Sequence, residues 1–186
     1  MSSEKSEATV ILRQILEVLS KPKLGFCDAP NMVWIYANRS NNCLWYTIVN
    51  GSEIVPIDST ALTAYLLEIK FDTVTRRNKE EIKLRVYLKG DRNYCIESGY
   101  DTHFSKGLLS CIASLSMEQV LSAPITIAPA AGTDDSVLFC RCYYKDEPIF
   151  APYTEHTDWR NVAMRAKMIC PRKTDRQKEM QTQEEF

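Results

Sequence analysis

The spacing of apolar residues changes several times along this 186-residue chain, and each change marks an element. Over residues 8–19, Ile11, Ile15 and Leu19 recur every four positions, joined by Leu12, Leu16 and Val18. That spacing predicts an amphipathic helix with a broad apolar face. Lys21-Pro22 ends it, because proline has no N–H to continue the ladder. Residues 32–37 and 43–49 are rich in aromatic and β-branched side chains and read as strands, with Asn38, Arg39, Ser40, Asn41 and Asn42 as the turn between them. Asn50-Gly51 is a second turn signal and leads into a third short strand over 53–57. Together these make a small β meander.

Residues 64–75 predict a long strand with Tyr65, Leu67, Ile69 and Phe71 on one face. A polar turn covers 76–80. Over 81–89 alternation is clean: Ile82, Leu84, Val86 and Leu88 inward, Lys83, Arg85, Tyr87 and Lys89 outward. Gly90-Asp91 turns the chain into a strand over 92–97. The period then becomes helical over 104–121, with Ser116 as N-cap of a second short helix and Pro124 as its stop. Strands follow at 125–128 and 136–145, the latter pairing with residues 148–153. The expected fold is mainly β with helices, in the order β-β-β-α-β-β. That is the order of the five-stranded OB-type β-barrel, here with an N-terminal helix and a short meander added. The expected divisions are 1–61 as an N-terminal extension, 62–155 as the barrel and 156–186 as a basic, partly disordered tail.

Composition changes this picture little. Hydrophobic residues make up 45% and charged residues 25%, which is ordinary for a globular chain. The seven cysteines are odd in number and sit mostly in apolar runs, as buried thiols of a reducing compartment do. With no apolar signal core and no membrane-length apolar run, the expected location is cytoplasmic, away from any membrane.

The net charge of −1 excludes a uniformly basic protein, so any polyanion site must be local. From Arg76 to Arg92 there are seven basic residues and three acidic ones. Alternation puts Lys83, Arg85, Tyr87 and Lys89 on one side of their strand. The adjoining turns add Arg76, Arg77, Lys79 and Arg92. Tyr94, and Arg141 and Tyr143 on the last long strand, extend the surface. Cations follow a phosphate backbone while rings between them stack bases. The same residues on a solvated strand also serve to prevent edge aggregation.

The stretch 62–145 resembles single-stranded DNA-binding OB domains. The features are a long first strand (TAYLLEIKFDTVTRR), a basic-aromatic second strand (EIKLRVYLKG), the hairpin into NYCIES, a helix and a closing hairpin ending in VLFCRCYYK. The resemblance implies non-enzymatic binding of single-stranded nucleic acid, DNA in the first instance, with no cofactor. The alternative is a protein-interaction module on the same scaffold, contacting its partner through the open sheet or the Trp34–Trp45 region. A homo-oligomer or a protein partner is compatible with either.

Other constellations are poorer. Arg160, Arg165, Lys167, Arg172, Lys173, Arg176 and Lys178 occur with only Asp175 among them, and read as a phosphate-contacting arm or as a solvated helix or tail. Glu184-Glu185-Phe186 is faintly similar to the acidic tail of bacterial single-strand-binding proteins. Of Trp34, Tyr36, Trp45 and Tyr46, at least two are expected in the core. Asp101, His103 and Ser105 contain the residue types of a hydrolase, but a triad is defined by geometry and not by adjacency. Cys140 and Cys142 share a strand face without a second pair elsewhere, so no metal site is expected.

Overall fold

The structure is a computed structural model and describes residues 31–76 and 78–170. The described residues belong to one unit, Asn31–Phe186. The helix expected over 8–19 falls outside the described residues.

The meander forms as its pattern indicates: β1 (Met32–Ala37), β2 (Trp45–Val49) and β3 (Glu53–Pro56) pair antiparallel. Asn50 and Gly51 take positive φ at the β2–β3 turn, where Ser52 N donates to Val49 O at 3.2 Å. Ile57 N donates to Trp45 O, so the neighbouring pair Tyr46 and Pro56 is of the non-hydrogen-bonded kind. Pro56 therefore turns its backbone nitrogen, which has no hydrogen, towards the free edge. A short edge with a proline offers little for another strand to pair with.

Next come β4 (Leu62–Arg76), β5 (Lys79–Lys89) and β6 (Asn93–Gly99), then α1 (His103–Ser114) and α2 (Met117–Ser122). The chain continues through β7 (Ile125–Ala131), β8 (Leu138–Tyr144), β9 (Glu147–Pro148) and α3 (Trp159–Ile169). Ser116 and Gln119 form a reciprocal capping box at the start of α2, as Ser116 indicated.

The expected barrel does not form. The strands make one open sheet in the order β3-β2-β1-β6-β5-β4-β7-β8-β9. Closing β4–β8 into a barrel would require β6 and β8, the ends of their row, to meet. The outer edge of β6 is instead taken by β1, which pairs parallel to it from Met32↔Asn93 to Tyr36↔Glu97. Ser98 Oγ reinforces the junction with a 3.0 Å bond to Ala37 O. The outer edge of β8 carries the two-residue β9.

One face of this sheet carries the core. Leu84, Val86 and Leu88 of β5, Ile96 of β6 and Ile35 of β1 pack with Phe104, Leu108 and Ile112 of α1, Val120 of α2, and Ala166 and Ile169 of α3. Nearly every side of α1 is buried, as expected of a helix that is apolar or small all round.

Two positions depart from simple alternation. Register slips between Leu66 and Glu68 in β4. The bulge turns Tyr65 to the face opposite Ile69, so they are 39% and 2% exposed and do not share one side. Ile82, expected inward, is 43% exposed. It lies where β4 and β5 run past the end of β6, which reaches only Lys83↔Gly99. Beyond the bond from Tyr100 N to Ile82 O at 3.2 Å, the two strands pair only with each other from Thr73↔Ile82 to Arg76↔Lys79, as a projecting ribbon.

At Gly107 the backbone of α1 passes close to Cys140 of β8. A Cβ there would lie 3.1 Å from Cys140 O and 3.4 Å from Cys140 Cβ. Gly→Ala in an exposed helix interior gains about 1 kcal/mol. At Gly107 we expect the sign to reverse, with Gly107→Ala destabilising by about 1 kcal/mol as the helix is pushed off the sheet. The urea midpoint measures this.

Candidate interaction surface

The face of the sheet opposite the core is set by register. Lys89 lies opposite Asn93, so Tyr87 meets Cys95, Arg85 meets Glu97 and Lys83 meets Gly99. On the other side of β6, Trp34 is opposite Cys95 and Tyr36 opposite Glu97. On the other side of β5, Glu68 is opposite Tyr87, Lys70 opposite Arg85 and Asp72 opposite Lys83.

Arg85 is the centre of this face. Its Nε and NH2 both reach Glu97 Oε2 at 2.9 Å, and NH1 reaches Asp72 Oδ2 at 2.8 Å. Its guanidinium carbon stands 5.0 Å from the centroid of the Trp34 ring, a cation–π arrangement. Glu97 is only 4% exposed. Burial opposes the charge on Arg85, but bonding to Glu97 and Asp72 outweighs it and raises the pKa. Lys83 is paired with Glu81, and Lys70 with Glu68 at 3.1 Å. Lys70 Nζ also lies 5.1 Å from the centroid of the Tyr87 ring. Tyr36 stacks on Tyr46 with centroids 5.3 Å apart. Cys95 is buried on this face between Trp34 and Tyr87, and desolvation pushes its thiol up to about 12.

The residues proposed for nucleic acid therefore do not gather into one basic groove. Lys83, Arg85 and Tyr87 share the face, but both cations are paired with carboxylates. Tyr94 sits opposite Leu88, on the core side, where it packs against the core. Its hydroxyl donates to Asp91 Oδ1 at 2.5 Å, which lowers the Asp91 pKa and raises that of Tyr94. Arg141 and Tyr143 lie on β8, beyond β4 and β7 in the row. Lys79 and Lys89 are at opposite ends of β5, about 33 Å apart along the strand. Arg92 is exposed in the β5–β6 turn, Arg76 ends β4, and Arg77 falls outside the described residues.

Pattern reading overlooked Glu97, although its spacing from Tyr87 across the Gly90-Asp91 turn fixes its side. Once Lys89 and Asn93 are opposite, Arg85 must meet Glu97 and Tyr94 must follow Leu88 inward. Trp45 and Tyr46 are the two buried members of the aromatic set. Trp45 lies on the core side, with Nε1 donating to Ser59 O at 2.9 Å.

The hydrolase constellation is not assembled. Asp101 pairs with Lys106 at 2.6 Å, and buried Ser105 donates to Gly99 O at 2.7 Å. His103 Nδ1 is 3.3 Å from the Tyr153 hydroxyl. Cys140 and Cys142 share a face as expected, with sulfurs 3.7 Å apart. They line a cleft of about 240 Å³ with Cys111, His103 and Tyr153. The contact with Cys142, then burial, raises the pKa of Cys111. Contact with Cys111 favours the Cys142 thiolate, but Cys140 and burial outweigh it and raise that pKa too. Among the described residues no cluster of three or more His, Cys, Asp or Glu side chains is arranged to hold a metal ion.

No known protein family, curated protein or solved structure matches this chain.

Two outcomes are expected. Arg85→Ala removes the guanidinium that bonds buried Glu97 and Asp72 and should cost about 2–3 kcal/mol of stability by urea denaturation. Arg85→Lys should recover only part, since an ammonium cannot reproduce the fork between two carboxylates. Iodoacetamide on the native protein should label half-exposed Cys43 and Cys140 before buried Cys95, Cys111, Cys142 and Cys170, as followed by peptide mass spectrometry.

Proposed function

We propose that the chain is a non-catalytic protein-binding module whose working surface is the sheet face built around Trp34, Arg85 and Tyr87. The supporting observation is the carboxylate pairing of its cations: Arg85 with Glu97 and Asp72, Lys83 with Glu81, Lys70 with Glu68. A polyanion gains most by neutralising unpaired cations and releasing counterions. A face whose central cations are already neutralised offers it little. What this face does offer is tryptophan, tyrosine and a fixed arginine, the side chains that dominate protein–protein hot spots. Exposed Ile48 and Ile54 extend it at the β2–β3 end, where they are directly opposite one another. The matching partner is a protein surface with an apolar centre and little net charge.

One observation favours a second reading. Lys89 and Arg92 are exposed at one end of β5, with no ion pair to a carboxylate among the described residues. Tyr65 stands opposite Lys89. Single-stranded nucleic acid bound there would make few phosphate contacts, with a correspondingly shallow salt dependence.

A photocrosslinking side chain, benzoylphenylalanine, placed at Tyr87 in living cells separates the two. The expected product is a discrete protease-sensitive adduct that disappears in the Trp34→Glu background. A nuclease-sensitive adduct, or tight salt-dependent binding of labelled oligonucleotide lost in Lys89→Glu/Arg92→Glu, would reverse the order of the two readings.

A further inference from the structure

α3 carries a second surface, independent of the sheet face. Its inner side is spent on the core through Ala166 and Ile169, with Val162 packed against them. Arg160, Met164, Lys167 and Met168 follow at i, i+4, i+7 and i+8, so they form one outward stripe. Arg165 flanks it and is also exposed. Met164 and Met168 are 55% and 68% exposed.

Charge on this helix is of one sign. It contains Arg160, Arg165 and Lys167 and no acidic residue. Its N-cap, Asp158, is engaged by Asn161 N at 3.1 Å. Among the described residues no ion pair involves Arg160, Arg165 or Lys167. This is the reverse of the sheet face, where the cations are matched.

We propose that the outward stripe of α3 docks an acidic segment of another protein, one that carries apolar side chains a helical turn apart. Charge complementarity and the two methionines select this occupant together. A phosphate backbone would use the three cations and leave the methionines idle. A bilayer surface needs a continuous apolar strip with cations along its margins, whereas here the cations interrupt the methionines. An acidic amphipathic segment uses both sets at once, with carboxylates over the cations and apolar anchors on the methionines. Methionine suits the role because its unbranched thioether adapts to differently shaped partners.

Fluorescence anisotropy on the full chain tests this. The probe is a fluorescein-labelled synthetic peptide of glutamates with two leucines one helical turn apart. Control peptides replace the glutamates with glutamine or the leucines with serine. Binding of the acidic leucine peptide at physiological ionic strength is expected, roughly tenfold weaker for each control. Met164→Ser/Met168→Ser and Arg160→Ala/Lys167→Ala should each weaken it to a similar degree. Thermal unfolding should not change, since all four side chains lie outside the core. Trp34→Glu, in the other layer, should leave the affinity as it was, so failure of the sheet-face reading does not affect this one. Three results would overturn the proposal: no binding, binding indifferent to the methionine pair, or tighter binding through the same residues of oligothymidylate or of phosphatidylcholine–phosphatidylserine vesicles.

Discussion

The pairing of β1 along the outer edge of β6 is the contact on which the architecture turns. It occupies the edge that a closed barrel would need, so the sheet stays open and widens to include β2 and β3. It also brings Trp34 and Tyr36 into register with Cys95 and Glu97. Without that neighbour, Arg85 would lack the ring beneath its guanidinium and Glu97 would lie on an exposed flank. One strand pairing thus determines both the shape of the sheet and the composition of its open face.

Most individual elements were legible in the sequence because they depend on short-range rules. The Asn50-Gly51 turn, the alternation of β5, the Ser116 cap and the stop at Pro124 each need only a few neighbours. The partner of β6 was not legible, because parallel pairing joins residues about sixty positions apart and leaves no local signature. Ile82 illustrates a milder form of the same gap. Its alternation is correct, but burial requires a neighbouring strand, and β6 has already ended. The bulge after Leu66 is a third case: a one-residue irregularity reassigns Tyr65 to the opposite side while hydropathy is unchanged.

The basic-aromatic face was partly legible. Side-chain parity within β5 placed Lys83, Arg85 and Tyr87 together correctly. What parity within one strand does not contain is the identity of the residues opposite. Glu97 on β6 and Asp72 on β4 hold Arg85, while Glu81 and Glu68 pair with the lysines of their own strands, and together they convert an apparent cationic strip into an internally bonded one. Tyr94 was misplaced for a related reason: its side follows from counting across the Gly90-Asp91 turn, not from its chemical resemblance to Tyr87. Charge near a strand therefore says little about binding until both neighbours are known.

The ribbon formed by the far ends of β4 and β5 behaves differently from the rest of the sheet. Beyond Ile82 its ladder runs between two strands only, and paired strands without a third neighbour or a packed face are marginal in water. Opening there disrupts little of the core, so its amides are the ones to exchange first while β5 nearer Val86 stays protected. The hairpin tip at Asn78 is consequently the natural place to insert a peptide or break the chain without unfolding the domain.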